Sequence, residues 1–178
     1  DALGTSIKLV GSSRMEGNKV YAWVAPLMID KNHPLYAVND VYNGILVKGN
    51  MIGTTMYYGS GAGKLPTASA VVADIVEEAK HLDSNIPIGW SSQKLPIAPM
   101  SDAVYRYFVR VSGKYEDRRD MVEAVFGKAK VVELEGLDEF AFLTAELKES
   151  RFQENLDILK VELTAEYEKV LQVIRADR

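Results

Sequence analysis

The sequence has no cysteine and only two histidines, His33 and His81. Without thiols the chain cannot form a disulfide framework, and it lacks the thiolates that many structural zinc sites use. We therefore predict no metal site. Stability has to come from the burial of apolar side chains, and a hydrophobic content of 47% over 178 residues is enough to form a core.

Long apolar runs and a strong excess of positive charge are also missing. No stretch of eighteen or more uncharged apolar residues is present, and the first residues lack the basic start and apolar segment of a signal peptide. The net charge is −4 at pH 7, so no basic surface is available for nucleic-acid phosphates. These absences predict a globular, soluble, cytoplasmic protein with neither nucleic acid nor a membrane as partner.

The first four residues, Asp1-Ala2-Leu3-Gly4, look like the last turn of a helix closed by a C-cap glycine. Because such a turn belongs inside a fold, we expect the chain to begin in the middle of a fold, as a fragment of a larger protein would. An ordinary processed terminus is the alternative.

The first part of the sequence predicts two β-hairpins. Residues 7–15 and 19–25 are rich in β-forming residues and are separated by a polar connection that contains Gly17. Residues 42–48 and 51–58 form a second pair of strand-like segments around a Gly-Asn turn.

A glycine-rich turn, Gly59-Ser60-Gly61-Ala62-Gly63, follows the second hairpin and precedes a predicted helix. The helix begins with Pro66 and continues to Ala79 or His81. Because it is apolar almost all round until its last turns, we expect it to be buried inside the fold or between subunits.

Residues 83–103 contain three prolines and no helical or strand period, which indicates a domain boundary. Beyond it the pattern alternates in the order βαββαβ. The predicted elements are strand 105–111, helix 117–127, strand 130–135, strand 139–147, helix 150–164 and strand 169–175. Both helices have one apolar face, so we expect them to cover one side of a four-stranded antiparallel sheet, the ferredoxin-like arrangement.

A strand, a glycine-rich turn and a helix N-terminus in that order can hold an anion, because unpaired backbone amides and the helix dipole point at one place. The glycine spacing matches neither the dinucleotide fingerprint nor a phosphate loop, which would need glycine in place of Tyr58 and Ser or Thr in place of Leu65. Two interpretations stay open: contact with a ligand, or a tight turn packed against a neighbouring helix.

Four motifs, in order, resemble the homoserine dehydrogenase family. They are His33-Pro34-Leu35, then Val41-Tyr42-Asn43-Gly44, then Tyr58-Gly59-Ser60-Gly61-Ala62-Gly63, then Pro66-Thr67-Ala68-Ser69-Ala70-Val71-Val72-Ala73-Asp74. This resemblance covers about residues 5–82, and the remainder of the chain resembles an ACT domain, a βαββαβ module. It implies an α+β protein in which residues 1–85 end the catalytic and dimerisation domain as an antiparallel or mixed sheet with a buried helix. Residues 86–103 would be a linker, and residues 104–178 a ferredoxin-like ACT domain.

The resemblance implies an enzyme that interconverts L-aspartate 4-semialdehyde and L-homoserine with NAD(P)H, on the route to threonine and methionine. In this family the Rossmann domain and the substrate-handling aspartate and lysine lie outside the part that this sequence resembles, so we predict no catalytic residue here. By its motif, Gly63 corresponds to a backbone contact with NAD(P), and Gly61, Ala62 and Thr67 are its predicted neighbours in the cofactor site. A domain absent from this chain would complete that site.

The resemblance also implies partners. The family pairs its subunits through a sheet in this region, which implies a homodimer or higher homo-oligomer, and ACT domains often bind an amino-acid effector. The run at residues 114–119 counts against an effector, since Asp117 stands about where binding members have glycine. Arg106 and Arg110 share one face of a predicted strand and could meet a carboxylate or be solvated surface. A freestanding amino-acid-sensing protein without redox activity and a structural scaffold are the alternative functions.

We predict structural rather than catalytic or ligand-binding roles for three polar residues. His33 before a proline is predicted to be a hydrogen-bonded turn residue rather than a general base. Asn43 beside Gly44 is predicted to tolerate an unusual backbone angle. Asp74 on the apolar helix is predicted to be a buried carboxylate that needs a partner.

Overall fold

The computed structural model describes residues 3–84, 87–165 and 169–177. The strands are β1 (Thr5–Glu16), β2 (Lys19–Asp30), β3 (Tyr42–Gly49), β4 (Gly53–Ser60), β5 (Val104–Ser112), β6 (Lys130–Glu133), β7 (Glu139–Leu143), β8 (Leu147–Lys148) and β9 (Val170–Ala176). The helices are α1 (Lys64–Lys80), α2 (Tyr115–Phe126) and α3 (Glu149–Ala165). The predicted α+β class with a mixed sheet is confirmed. Within the described ranges no helix has the length and apolar character needed to cross a membrane.

Two compact units make up the chain. Unit 1 contains the residues up to Asp30 and those from Leu95 onward, and unit 2 is Lys31–Lys94. The change of unit between Lys94 and Leu95 falls within residues 86–103, the predicted linker, whose first residue lies outside the described residues. The first hairpin belongs with the C-terminal part rather than with the second hairpin, which differs from the predicted domains. The roles assigned to those domains stay predictions.

Strand pairing explains why the first hairpin belongs to unit 1. Leu27 and Met28 of β2 pair in parallel with Arg175 and Ala176 of β9. On the same hairpin, Val20 N donates to Pro96 O at 3.0 Å, and Ala98 N donates to Val20 O at 2.8 Å. Contacts between residues so far apart in sequence leave no trace in local periodicity, so the pattern could not predict them.

The main sheet of unit 1 has the strand order β1-β2-β9-β5-β7-β6, with β8 paired to the start of β5. Its β9-β5-β7-β6 part is the antiparallel four-stranded sheet that the βαββαβ pattern predicted. The single strand predicted over residues 139–147 is wrong, because β7 ends at Leu143. Thr144 interrupts the ladder: its Oγ1 accepts a hydrogen bond from Tyr107 N at 3.0 Å and donates to Ala145 O at 2.7 Å.

Helices α2 and α3 cover one face of this sheet and form the main core with it. Alternate residues of β5 are buried, as expected for a strand with one covered face. Tyr107 stacks on Phe152 of α3 with ring centroids 3.6 Å apart. Asn155, also buried, donates from Nδ2 to Val125 O at 2.8 Å and so ties α3 to the last turn of α2. The predicted apolar faces of both helices are confirmed.

The opposite face of the sheet carries a second, smaller cluster. Met28, Ile174 and Ala176 are buried there, and Leu3, Phe108 and Leu143 pack against them. Gly4 just after Leu3 has φ +62°, as a C-cap glycine would. The predicted helical turn that it would close includes Asp1 and Ala2, which lie outside the described residues.

Unit 2 consists of the β3–β4 hairpin, a 3-10 turn at Pro34–Ala37 and α1. None of its described residues is buried. Val72 is 58% exposed, Ile75 is 62% exposed, and Asp74 is exposed as well, so burial of α1 inside the fold of this chain is wrong. Its burial between subunits, the other predicted possibility, stays a prediction. An apolar helix indicates that something covers it, but the pattern cannot say which molecule supplies the cover.

Candidate functional site

The glycine-rich turn joins β4 to α1, as predicted. Gly61, Ala62 and Gly63 connect the two elements, and Gly63 is the N-cap residue of the helix. Gly63 O accepts a hydrogen bond from Thr67 N at 3.2 Å, which closes the first turn of α1. The predicted cofactor-site residues thus lie in one stretch of backbone, and Ala62, Gly63 and Thr67 are all exposed.

Backbone conformation requires glycine at position 63. Its φ is +114° with ψ 160°, a region that side-chain-bearing residues rarely occupy. Crowding is not the reason, because a Cβ there would meet only Pro66 Cδ at an ordinary 3.7 Å. No side chain caps the start of α1, so the first amides of the helix remain available to an anion.

Space, rather than conformation, requires glycine at position 61. A Cβ on Gly61 would collide with Nδ2 of Asn43. Asn43 pairs with Gly59 across the hairpin, and its Nδ2 also donates to Val41 O at 3.5 Å. Asp40 is the one described non-glycine residue with positive φ, so the unusual backbone angle predicted for Asn43 is wrong. The sequence could not predict the Asn43–Gly61 contact, because the contact depends on the register in which β3 and β4 pair.

The base of the hairpin is packed around Gly44. A Cβ at that position would approach Leu35 Cδ2 to 2.8 Å and both Val38 Cγ2 and Met56 Cε to 3.0 Å. His33 Nδ1 accepts a hydrogen bond from Leu35 N at 3.1 Å, which confirms its predicted role as a hydrogen-bonded turn residue. The separated motifs around residues 33–35 and 41–44 therefore meet within unit 2 and support the strand that leads into the turn.

In unit 1 the turn before α2 already contains a carboxylate. Tyr115 N, at the start of the helix, donates to Glu133 Oε1 at 3.2 Å. Burial, followed by the nearby charge of Glu123, raises the pKa of the Tyr115 phenol. Gly113 has φ +87° and donates from its amide to Asp138 O at 2.9 Å, so the turn does contain a glycine, four residues before Asp117. An anionic ligand could bind at this helix N-terminus only by displacing the Glu133 carboxylate.

Arg106 and Arg110 both have partners on the sheet face away from the helices. Arg106 Nε donates to Thr144 O at 3.3 Å. Arg110 donates from Nε to Glu139 Oε2 at 3.1 Å, and its Nη2 forms an ion pair with the same oxygen at 3.1 Å. The carboxylate that Arg110 meets is thus one from its own chain.

The fold and the site define an α+β protein in which a glycine-rich turn leads into an uncapped helix N-terminus, a type of structure that suits anionic ligands. The homoserine dehydrogenase family model matches residues 1–76. The chain is 33% identical over 177 residues to a homoserine dehydrogenase of Bacillus subtilis, which covers 89% of this chain and 41% of that protein. A homoserine dehydrogenase of Helicobacter pylori is 40% identical over 109 residues, which is 61% of this chain and 26% of that protein.

Solved structures give the same result. A homoserine dehydrogenase from Thiobacillus denitrificans matches with a TM-score of 0.75 at 25% identity, over 99% of this chain and 43% of the other. One from S. aureus matches with a TM-score of 0.67 at 30% identity over the same shares. The chain belongs to the homoserine dehydrogenase family and spans about two fifths of the length of the Bacillus and Thiobacillus proteins.

Proposed function

We propose that this chain forms part of an NAD(P)-dependent homoserine dehydrogenase, which interconverts L-aspartate 4-semialdehyde and L-homoserine on the route to threonine and methionine. The segment would pair subunits and place bare backbone against the cofactor. The nicotinamide, when bound, supplies or accepts the hydride. The groups that handle substrate would belong to a part of the enzyme outside this chain.

The observation that carries this proposal is the conformation and openness of Gly63. Its backbone is exposed, its φ of +114° excludes most side chains, and no side-chain cap occupies the start of α1. Gly61, Ala62 and Thr67 would form the remainder of the contact, with Thr67 N held by the Gly63 carbonyl. A backbone without a Cβ lets a nucleotide approach closely, and amides at a helix N-terminus favour its negative charge.

Subunit pairing is supported by the apolar surface of unit 2. Exposed side chains include Ile45, Val47 and Tyr57 on the hairpin and Val72 and Ile75 on α1. A two-stranded sheet with no buried residue is marginal by itself in water, so these surfaces need a cover. A homodimer or higher homo-oligomer would provide it.

The cofactor contact can be tested with two glycine variants in the enzyme expressed from the complete reading frame. Gly63→Val is expected to raise the Kd for NADPH by about tenfold or more, because the side chain forces the turn out of its conformation. Gly59→Ala is the matched control, since its Cβ would meet nothing within 4 Å and its φ is not in the positive range. Equal NADPH affinity in both variants would refute the contact.

The location of the catalytic groups can be tested with the 178-residue chain alone. We expect no NADPH-dependent reduction of aspartate semialdehyde, and measurable turnover would show that substrate-handling groups are present here. A reading frame that starts near Asp1 would instead favour the freestanding amino-acid sensor. Calorimetric titration with threonine, methionine and NADPH tests the effector, and saturable binding of any of them removes the structural scaffold.

A further inference from the structure

The side chain of Asn43 reaches from β3 to the glycine-rich turn. Asn43 pairs with Gly59 of β4, so Gly61, two residues further along, occupies the diagonal position across the hairpin. The three atoms nearest to the place of a Gly61 Cβ all belong to Asn43: they are Nδ2, Cγ at 3.2 Å and Cβ at 3.7 Å. The Asn43 amide therefore packs directly against the backbone of Gly61.

The two glycines on either side of Gly61 have no such contact. A Cβ on Gly59 would meet nothing within 4 Å, and a Cβ on Gly63 would meet only Pro66 Cδ, which belongs to α1 itself. Within the described residues, Asn43 is thus the side chain that connects a neighbouring strand to this run of glycines.

The contact matters because the turn has little to restrain it. Gly61 and Gly63 lack side chains, and glycine has more backbone freedom than any other residue. The φ of Gly61 lies outside the positive range in which Gly63 is found, so position 61 does not require glycine for a left-handed backbone. The Asn43 amide occupies the space of the missing Cβ at position 61 and limits the movement of the turn.

The backbone around Asn43 holds its amide in place. Nδ2 donates to Val41 O at 3.5 Å. The next residue, Gly44, packs closely against Leu35 and Met56 on the other face of the strand. The strand that carries the amide is therefore fixed, whereas the turn beside it is not.

We infer that Asn43 is a positioning residue for the cofactor contact. Its amide, held on β3, restrains Gly61 and thereby keeps the backbone of Gly63 in the conformation that meets NAD(P). This inference rests on the proposed function and adds to it a residue that acts through the turn rather than by touching the cofactor.

Binding of NADPH to the enzyme expressed from the complete reading frame, followed by NADPH fluorescence, tests this role. Asn43→Ala should raise the Kd about fivefold, because the turn regains roughly the backbone freedom of one residue. Asn39→Ala is the matched control. Asn39 likewise donates from its exposed side chain to the carbonyl two residues before it, Ala37 O at 3.3 Å, but it precedes β3. We expect the Asn39→Ala enzyme to bind NADPH as tightly as the parent enzyme.

A double variant separates positioning from a general loss of stability. Gly61→Ala should weaken NADPH binding by itself, because the new Cβ collides with the Asn43 amide. Asn43→Ala combined with Gly61→Ala should bind NADPH more tightly than either single variant. In that background the Cβ at position 61 fills the vacated space and stiffens the turn. Two independent losses of stability would instead add in the double variant.

The outcomes also separate this inference from the proposed function. Suppose that Gly63→Val weakens NADPH binding while Asn43→Ala binds NADPH as tightly as Asn39→Ala, or that the double variant binds more weakly than both single variants. The cofactor contact then stands, and the positioning role of Asn43 is overturned. If Gly63→Val leaves the Kd unchanged, the proposed contact is refuted, and the positioning role is refuted with it.

Discussion

Arg175 of β9 donates two hydrogen bonds to a single oxygen of Glu149, from Nε at 3.0 Å and from Nη2 at 2.8 Å. The same Oε2 accepts a third hydrogen bond from the Tyr107 hydroxyl at 2.9 Å. Glu149 is the first residue of α3, so its carboxylate joins that helix to the two neighbouring strands β9 and β5. The pair is 27% and 17% exposed, which limits screening by solvent.

Glu149→Ala removes the common acceptor of this network. Arg175 and Tyr107 then lose their partner in a mostly buried place, so we expect the free energy of unfolding to fall by about 2–3 kcal/mol. Urea denaturation of the 178-residue chain measures it. Glu154→Gln should cost less than about 1 kcal/mol, because its partner Arg151 lies at an exposed surface. If both variants lowered the free energy of unfolding by similar amounts, the Glu149 network would stabilise the chain no more than an exposed ion pair does.

Tyr107 should make the protein sensitive to alkaline pH. Burial raises the pKa of its phenol above the usual value near 10, and the hydrogen bond to Glu149 and its negative charge add to that effect. Below about pH 10 the folded and unfolded chains both keep this proton, so the contribution of Tyr107 to stability is fully present. Above it the unfolded chain ionises first, and stability falls by up to about 1.4 kcal/mol per pH unit.

Tyr107→Phe isolates this effect, since phenylalanine cannot ionise. Unfolding free energies measured at about pH 8 and pH 11 should fall less steeply in the variant than in the parent chain. The Tyr115 pKa is also raised, so a remaining slope is expected in the variant. If the unfolding free energy fell equally steeply with pH in both proteins, ionisation of Tyr107 would not contribute to the pH dependence of stability.

Gly61→Ala should loosen the second hairpin, because its new Cβ collides with the Asn43 side-chain amide. Displacing that amide costs about 1 kcal/mol in rotamer strain. Hydrogen exchange of the β3–β4 amides reports the change, and Gly59→Ala at an open position serves as control. The double variant Asn43→Ala with Gly61→Ala should recover part of the protection. If it recovers none, the Asn43 contact is not the reason for glycine at 61.

Glu133→Ala should destabilise α2, because Tyr115 N loses its acceptor and the helix N-terminus loses a negative charge. Such caps contribute about 1 kcal/mol, and the change is measurable by thermal unfolding. Glu135→Ala is the control: it removes a carboxylate two residues further along the chain, and we expect it to lower the stability much less. An effector that displaces Glu133 would bind more tightly to the Glu133→Ala chain, which titration with threonine and methionine would detect.

Several elements followed directly from the sequence. Strand alternation and helix periodicity depend on residues close together along the chain, so both hairpins, the βαββαβ order and the position of the glycine turn could be predicted. The predicted boundaries are wrong where residues distant in sequence determine the point at which a strand ends or a helix begins. Thr144 ends β7 by bonding to Tyr107, and Glu133 lets α2 begin at Tyr115 rather than at Asp117.

The sequence by itself therefore determined the local elements, the family and the stretch of backbone that carries the glycines. Only the tertiary structure decided that Gly61 makes room for Asn43 while Gly63 is required by its backbone angle, and that Arg110 is paired with Glu139. The physical reason is that register and packing join residues far apart in the chain. Local patterns record which faces are apolar or flexible, but not which surfaces those faces meet.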